Sequence, residues 1–181
     1  MPHTNPMNNF IEDDNFLKDH QKDFINNTVL NNNFPYFYYP FSTIGDGNSH
    51  LTHIVKNRPE NNGHWNSNYK DQFVDIFKTF CEKNNISYKE IFRCAVNMTY
   101  NIKNKKSPIH CDHDFKHRQI IVYLNDPLDS NSNTVILDKD KINIIKEIKP
   151  KKYKAICFDN LPHFIYYPQK GERFTLIYTF I

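Results

Sequence analysis

YKAICFDNLPHFIYYPQKGERFTLIYTFI, residues 153–181, holds three short β-branched or aromatic runs: Tyr153 to Phe158, Phe164 to Tyr167 and Arg173 to Ile181. Runs of this length, bounded by Pro, Gly, Asn and Asp, read as strands. The same texture continues upstream in Ile91 to Asn101, Gln119 to Leu124, Thr134 to Leu137 and Ile142 to Ile148, parted by turn clusters such as Asn125-Asp126-Pro127 and Lys149-Pro150-Lys151-Lys152. Two helical stretches precede them. From Asp13 or Asn15, either able to serve as an N-cap, to about Asn31, apolar residues Leu17, Phe24, Ile25 and Val29 recur at helical spacing. Between Tyr69 and about Lys83, Phe73, Ile76, Phe77 and Phe80 fall at i, i+3, i+4 and i+7. Helices first and short strands after predict a mainly β, α+β fold. The expected form is an antiparallel double-stranded β-helix, the cupin-like jelly roll, with the N-terminal helices packed on one sheet.

Between these elements the pattern is thinner. Residues 1–12 are polar, and Phe34 to Phe41 reads as an extended aromatic strand between prolines. Residues 42–68, with Gly45-Asp46-Gly47 and Asn62-Gly63, show no sustained period and read as long connections. Their His50, His53, Lys56, Arg58, His64 and Trp65 are placed to cover the mouth of a site, and the competing reading is a solvated excursion.

With 181 residues, the chain suits one core and not two ordinary domains. A helical, loop-rich part over 1–90 and a jelly-roll core over 91–181 are therefore expected to form one domain. Aromatics at 15% with four glycines fit a filled β-rich interior. A net charge of +3 neither demands nor excludes a nucleic-acid partner. The Lys103-Asn104-Lys105-Lys106 and Lys149 to Lys154 clusters read as hairpin ends before nucleic-acid contacts. Four cysteines without a CxxC, no signal peptide and no membrane-length apolar run favour a reducing, cytoplasmic setting.

The chemistry-bearing residues sit in the last third. His110 and Asp112 lie i, i+2 on an extended segment, so both face one way while Cys111 faces the other. His163 follows at a distance, and Arg173 stands ten positions after it on a strand that also carries Thr175. Two imidazoles and one carboxylate are the facial ligand set that suits non-haem Fe(II) and leaves positions open. About one HxD triplet is expected by chance in a chain this rich in His and Asp, so the weight rests on the sequel. Zinc can take the same three residues. A guanidinium such as Arg173 can pair bidentately with a carboxylate in a dry pocket.

HxD, a distal His and Arg-x-Thr together resemble the 2-oxoglutarate/Fe(II)-dependent oxygenases. Ile11 to Leu17, Phe34-Pro35-Tyr36-Phe37-Tyr38-Tyr39 and Asn66-Ser67-Asn68 further resemble the short, phage-encoded members of that superfamily, so a viral origin and the host cytoplasm are implied. By this resemblance His110, Asp112 and His163 would hold Fe(II), Arg173 and Thr175 would bind 2-oxoglutarate, and Asn97, Tyr100 or Tyr123 would also touch that co-substrate. The reaction implied is hydroxylation by O2 with 2-oxoglutarate converted to succinate and CO2, and the substrate leaning is to a peptide or protein side chain. Prolyl hydroxylases of this superfamily usually carry Lys where this chain has Arg173, which weighs against that assignment.

Two other readings stand beside the oxygenase. A jelly roll can serve as a non-catalytic binding module. Another metal-dependent cupin would use the ligands without needing Arg173.

Overall fold

In the computed structural model, which describes residues 10–42 and 46–181, ten strands and two helices form a two-sheet barrel with a helical flank. In chain order these are β1 (Ile11–Asp13), α1 (Asp19–Phe24, continued by a π turn over Ile25–Val29), β2 (Phe37–Tyr39), β3 (His50–Lys56), α2 (Lys70–Lys83) and β4 (Ile91–Tyr100). Then follow β5 (Arg118–Tyr123), β6 (Thr134–Leu137), β7 (Ile144–Ile148), β8 (Ala155–Asp159), β9 (His163–Ile165) and β10 (Glu172–Phe180).

The larger sheet runs β1-β8-β5-β10-β4-β3-β2 and the smaller β7-β6-β9, every pairing antiparallel. The smaller sheet gains a fourth edge from residues 106–110, bridged to β9 at Lys106↔Tyr166 and His110↔His163. Its inner face meets the larger sheet in a core of Ile121, Tyr123, Ile136, Ile148, Ile156, Phe158 and Leu161. This is the expected double-stranded β-helix.

The outer face of the larger sheet carries the helices. Phe73, Ile76, Phe77 and Phe80 of α2 are buried, and the Phe77 ring meets Tyr178 and Phe180 of β10 at 5.2 Å each. Each such side chain contributes about 1.5–3 kcal/mol by leaving water. Tyr178 Oη also donates to the Phe73 carbonyl at 2.7 Å, which pins helix to sheet. The predicted α2 thus holds to within a residue.

Three expectations need correction. The first helix begins at Asp19, not at Asp13 or Asn15, because Ile11–Asp13 pairs with β8 and so extends the sheet. Asp13 accepts from Asn15 N at 2.9 Å and pairs with Lys83 Nζ at 3.0 Å, so its carboxylate closes a turn and caps no helix. The aromatic strand is shorter than Phe34 to Phe41: only Phe37–Tyr39 pairs, on the sheet's edge. Most consequential, residues 42–68 are not simply connections. His50–Lys56 is an inner strand between β2 and β4. Its polar side chains hid it, yet Thr52, His53 and Lys56 are buried: the Thr52 hydroxyl donates to Asn97 Oδ1 at 2.7 Å, and His53 meets Pro35 O and Ser67 Oγ at 3.0 and 2.8 Å. Gly45 of the quoted Gly45-Asp46-Gly47 lies outside the described residues.

The second lysine cluster turns inward on the chain's own start: Lys151 meets Asp14 at 2.6 Å and Lys154 meets Glu12 at 3.3 Å. Among the described residues no helix is long and apolar enough to cross a membrane.

Candidate active site

Between the sheets opens a cavity whose wall includes His110, Asp112, His163, Arg173, Thr175 and Asn97, together with Arg58, Arg93, Gln119 and His50. The strand period explains this gathering. Arg173, Thr175 and Ile177 alternate on one face of β10, and their partners in register, Thr99 and Asn97 on β4, line the same wall.

His110 and His163 are neighbours through the backbone. Each N–H donates to the other's carbonyl, at 3.0 and 2.9 Å, which brings the imidazole centroids to 4.6 Å. His110 Nδ1 lies 3.0 Å from Pro108 O and His163 Nδ1 3.0 Å from Leu161 O. A carbonyl only accepts, so each Nδ1 carries a proton, and a neutral ring so held has its lone pair at Nε2. That is the arrangement a metal-ligating imidazole needs. Burial, reinforced by His110 alongside, pulls His163 down to about 4, against the opposing pull of Asp112. The ring is neutral near pH 7.

Asp112 is buried and reached by two guanidiniums. Arg58 Nη2 and Arg93 Nη1 donate to its Oδ1 at 2.8 and 2.9 Å, and Arg58 Nη1 also donates to its main-chain carbonyl. Burial alone would raise the carboxyl, but Arg93 and Arg58, helped by His163 and His110, hold it far below the usual carboxylate range. Its Oδ2 faces His163 Nε2 at 3.7 Å.

Two imidazole nitrogens and a carboxylate oxygen are the donor types that a divalent ion of the iron or zinc kind takes. Among the described residues no group of three or more His, Cys, Asp or Glu side chains stands close enough together, as placed, to hold a metal ion. Ligands at about 2.1 Å from one ion, at right angles, lie about 3 Å apart, so the 3.7 Å pair must close by less than an ångström to share one.

Arg173 occupies the other end of the cavity. It is 2% exposed, donates from Nη2 to Thr134 Oγ1 at 2.7 Å, and lies over the Tyr123 ring. Its Nε is buried without a hydrogen bond, and among the described residues it has no acidic partner. Burial pulls the guanidinium below its ordinary value, offset in part by Tyr123.

Of the residues expected to meet 2-oxoglutarate, Thr175 and Asn97 are on the wall, Asn97 accepting from Thr52 Oγ1 at 2.7 Å. Tyr123 supports Arg173 from beneath and donates to Thr134 at 2.8 Å. Tyr100 is not on the wall. Three positions from Asn97 it must face the other way, where its hydroxyl meets Ser49 at 3.0 Å. Cys111 also stays off the wall, as its parity requires.

Sequence reasoning did not single out Arg93, which shares the parity of Asn97 on a strand it had recognised. It named Arg58 only among residues covering a mouth. Gln119, with its amide nitrogen 3.5 Å from His163 Nε2, carried no motif at all.

By sequence the chain matches no family model and no curated protein. Solved structures do resemble it. A 2OG-Fe(II) oxygenase-family oxidoreductase from Burkholderia pseudomallei aligns with TM-score 0.70 at 14% identity, over 94% of this chain and 84% of that one. A prolyl hydroxylase from Trichoplax adhaerens, in complex with a hypoxia inducible factor peptide fragment, aligns with TM-score 0.69 at 12% identity, over 98% and 84%. OsALKBH1 aligns with TM-score 0.65 at 14% identity, over 95% and 96%. At such identities the likeness shows the fold they share.

Proposed function

We propose that this chain is an Fe(II)- and 2-oxoglutarate-dependent oxygenase that hydroxylates a prime substrate, with His110, Asp112 and His163 as metal ligands and Arg173 as the anchor for 2-oxoglutarate. The observation that carries the reading is Arg173: a buried guanidinium without a carboxylate partner among the described residues, in the same cavity as the ligand set. A buried cation is costly unless an anion meets it. A dicarboxylate reaching from the histidines to Arg173 supplies that anion.

When bound, Fe(II) supplies chelation of the 2-oxo acid and the O2 chemistry that couples decarboxylation to succinate with oxidation of a C–H bond. The chain's own residues do the rest. Arg173 orients the distal carboxylate through its free Nε and remaining N–H groups, with the Thr175 hydroxyl beside it. Tyr123 and Thr134 hold the guanidinium in place. Ile121, Ile165 and Ile177 line the wall and keep water away from the reacting atoms.

The substrate reading is a peptide or protein side chain, supported by the likeness to the peptide-bound prolyl hydroxylase, although Arg173 differs from the Lys usual in that group. The resemblance of Ile11 to Leu17 to the phage-encoded members supports action in a host cytoplasm. The second reading is a non-catalytic binding module, favoured by one observation: Asp112 Oδ1 is already engaged by two guanidiniums.

The test is an anaerobic titration of the full chain with Fe(II) and then 2-oxoglutarate, following the visible charge-transfer band of the chelate. The band is expected in the wild type, absent in His163→Ala, and shifted to much higher 2-oxoglutarate in Arg173→Ala. Its absence from the wild type would reject the oxygenase in favour of the binding module or a different metal.

A further inference from the structure

Arg173 answers one anion, but two more guanidiniums line the same cavity. Arg93 projects from β4 on the face that carries Asn97, and Arg58 comes from the turn after β3. That turn is well fixed, since Asn61 N and Gly63 N both donate to the Arg58 carbonyl, at 2.9 and 3.0 Å. Both guanidiniums converge on the single carboxylate of Asp112.

One negative charge does not offset two positive ones. Glu60, whose charge also acts on Arg58, is half exposed and directed to His113 Nδ1 at 2.9 Å. The Arg93 side chain is 14% exposed and that of Arg58 31%, so water compensates Arg93 poorly and Arg58 in part. Binding the divalent metal and the 2-oxoglutarate dianion changes nothing in this balance, because their formal charges cancel. Among the described residues, the loaded cavity still holds three guanidiniums against Asp112 as the one carboxylate of its wall.

Nor does locking Asp112 use up the donors. A guanidinium offers five N–H groups. Arg93 commits a single nitrogen, Nη1, and Arg58 commits Nη1 and Nη2, leaving its Nε. Arg58 by itself already holds both the carboxylate and the carbonyl of Asp112, so Arg93 is surplus to that task.

We infer that the prime substrate carries an oxyanion, carboxylate or phosphate, which docks on Arg58 and Arg93 beside the metal ligands. The reaction assigned to that substrate rests on the oxygenase reading, whereas the anion site rests on the guanidinium pair alone. The fork geometry of arginine suits either oxyanion.

The test measures ligand-induced change in melting temperature of the full chain, saturated with Mn(II) and 2-oxoglutarate. L-aspartate and adenosine 5′-monophosphate serve as the carboxylate and phosphate probes, and L-asparagine and adenosine as their partners without the extra charge. At least one anion is expected to raise the melting temperature above its partner. Its affinity should fall about tenfold or more in Arg58→Gln and Arg93→Gln, the effect of losing a charged hydrogen bond, and be largely kept in Arg58→Lys. Equal shifts from anion and partner, no shift from any probe, or anion binding indifferent to both Gln variants would overturn the inference. The same titrations on metal-free chain without 2-oxoglutarate separate the two claims. Arg58-dependent anion binding there, with no 2-oxoglutarate complex under any condition, would keep the anion site and reject the oxygenase.

Discussion

Arg173 lies across the face of Tyr123, its guanidinium carbon 5.3 Å from the ring centroid, and both side chains converge on Thr134 Oγ1 at 2.7 and 2.8 Å. The cation is thus held by a ring and a hydroxyl and by no carboxylate among the described residues, so it weakens the ligand-free fold. Arg173→Met should raise the stability of the metal-free chain by about 1 kcal/mol or more, as replacing buried charge with apolar volume does. The same variant should lose the stabilisation that 2-oxoglutarate gives the metal-loaded wild type, about 2.7 kcal/mol at a hundredfold excess over Kd. Denaturant melts with and without 2-oxoglutarate check both halves.

Metal binding should distinguish neighbours in the sequence. His163→Ala and Asp112→Ala are expected to weaken Mn(II) binding by more than about 100-fold, beyond the cost of removing an outer-sphere partner. Cys111→Ser, one residue away and off the cavity wall, should leave it unchanged. Paramagnetic titration of free Mn(II) measures both.

His53 gives a pH dependence away from the cavity's ligands. Its ring packs 4.5 Å from that of Phe34 and meets Pro35 O and Ser67 Oγ, and burial holds its pKa below the ordinary value despite the Pro35 carbonyl. The unfolded chain takes up a proton near pH 6.5 that the folded chain resists. Stability is therefore complete above that pH and falls as pH drops through it. His50 and His113 shift the same way, so His53→Gln should remove part of the slope in urea midpoints between about pH 8 and pH 5.

The flank formed by α2 should govern overall stability. Phe77→Ala is expected to cost about 3–5 kcal/mol, as for a buried aromatic. Tyr178→Phe, which removes the 2.7 Å bond to the Phe73 carbonyl and the hydroxyl's contact with Cys94, should cost about 1 kcal/mol. Equal losses from the two would mean that the hydroxyl and not the packing joins helix to sheet.

Periodicity made α2 and β10 readable, since Phe73, Ile76, Phe77 and Phe80 mark one helix face and Arg173, Thr175 and Ile177 one strand face. It failed at β3, whose His50, Thr52, His53 and Lys56 look like loop residues. Thr52, His53 and Lys56 are buried because β2 and β4 flank the strand on both sides, and no local pattern records that. The candidate ligands were legible as a spaced motif, whereas Arg58 and Arg93 reach Asp112 from 54 and 19 residues away. Only the parity of Arg93 with Asn97 hinted at it, and the same parity argued against Tyr100.

The reciprocal backbone bonds between His110 and His163 set an order of failure on heating. The two imidazoles keep their spacing for as long as the smaller sheet exists. Asp112, two residues beyond that pairing, is fixed by side chains that can let go without unzipping a strand. A partly melted molecule would therefore lose its carboxylate first and retain a two-imidazole remnant. If the proposed ligand set holds a metal, such a remnant would favour copper or nickel over iron, so thermal damage would change the metal preference of the site before it abolished binding.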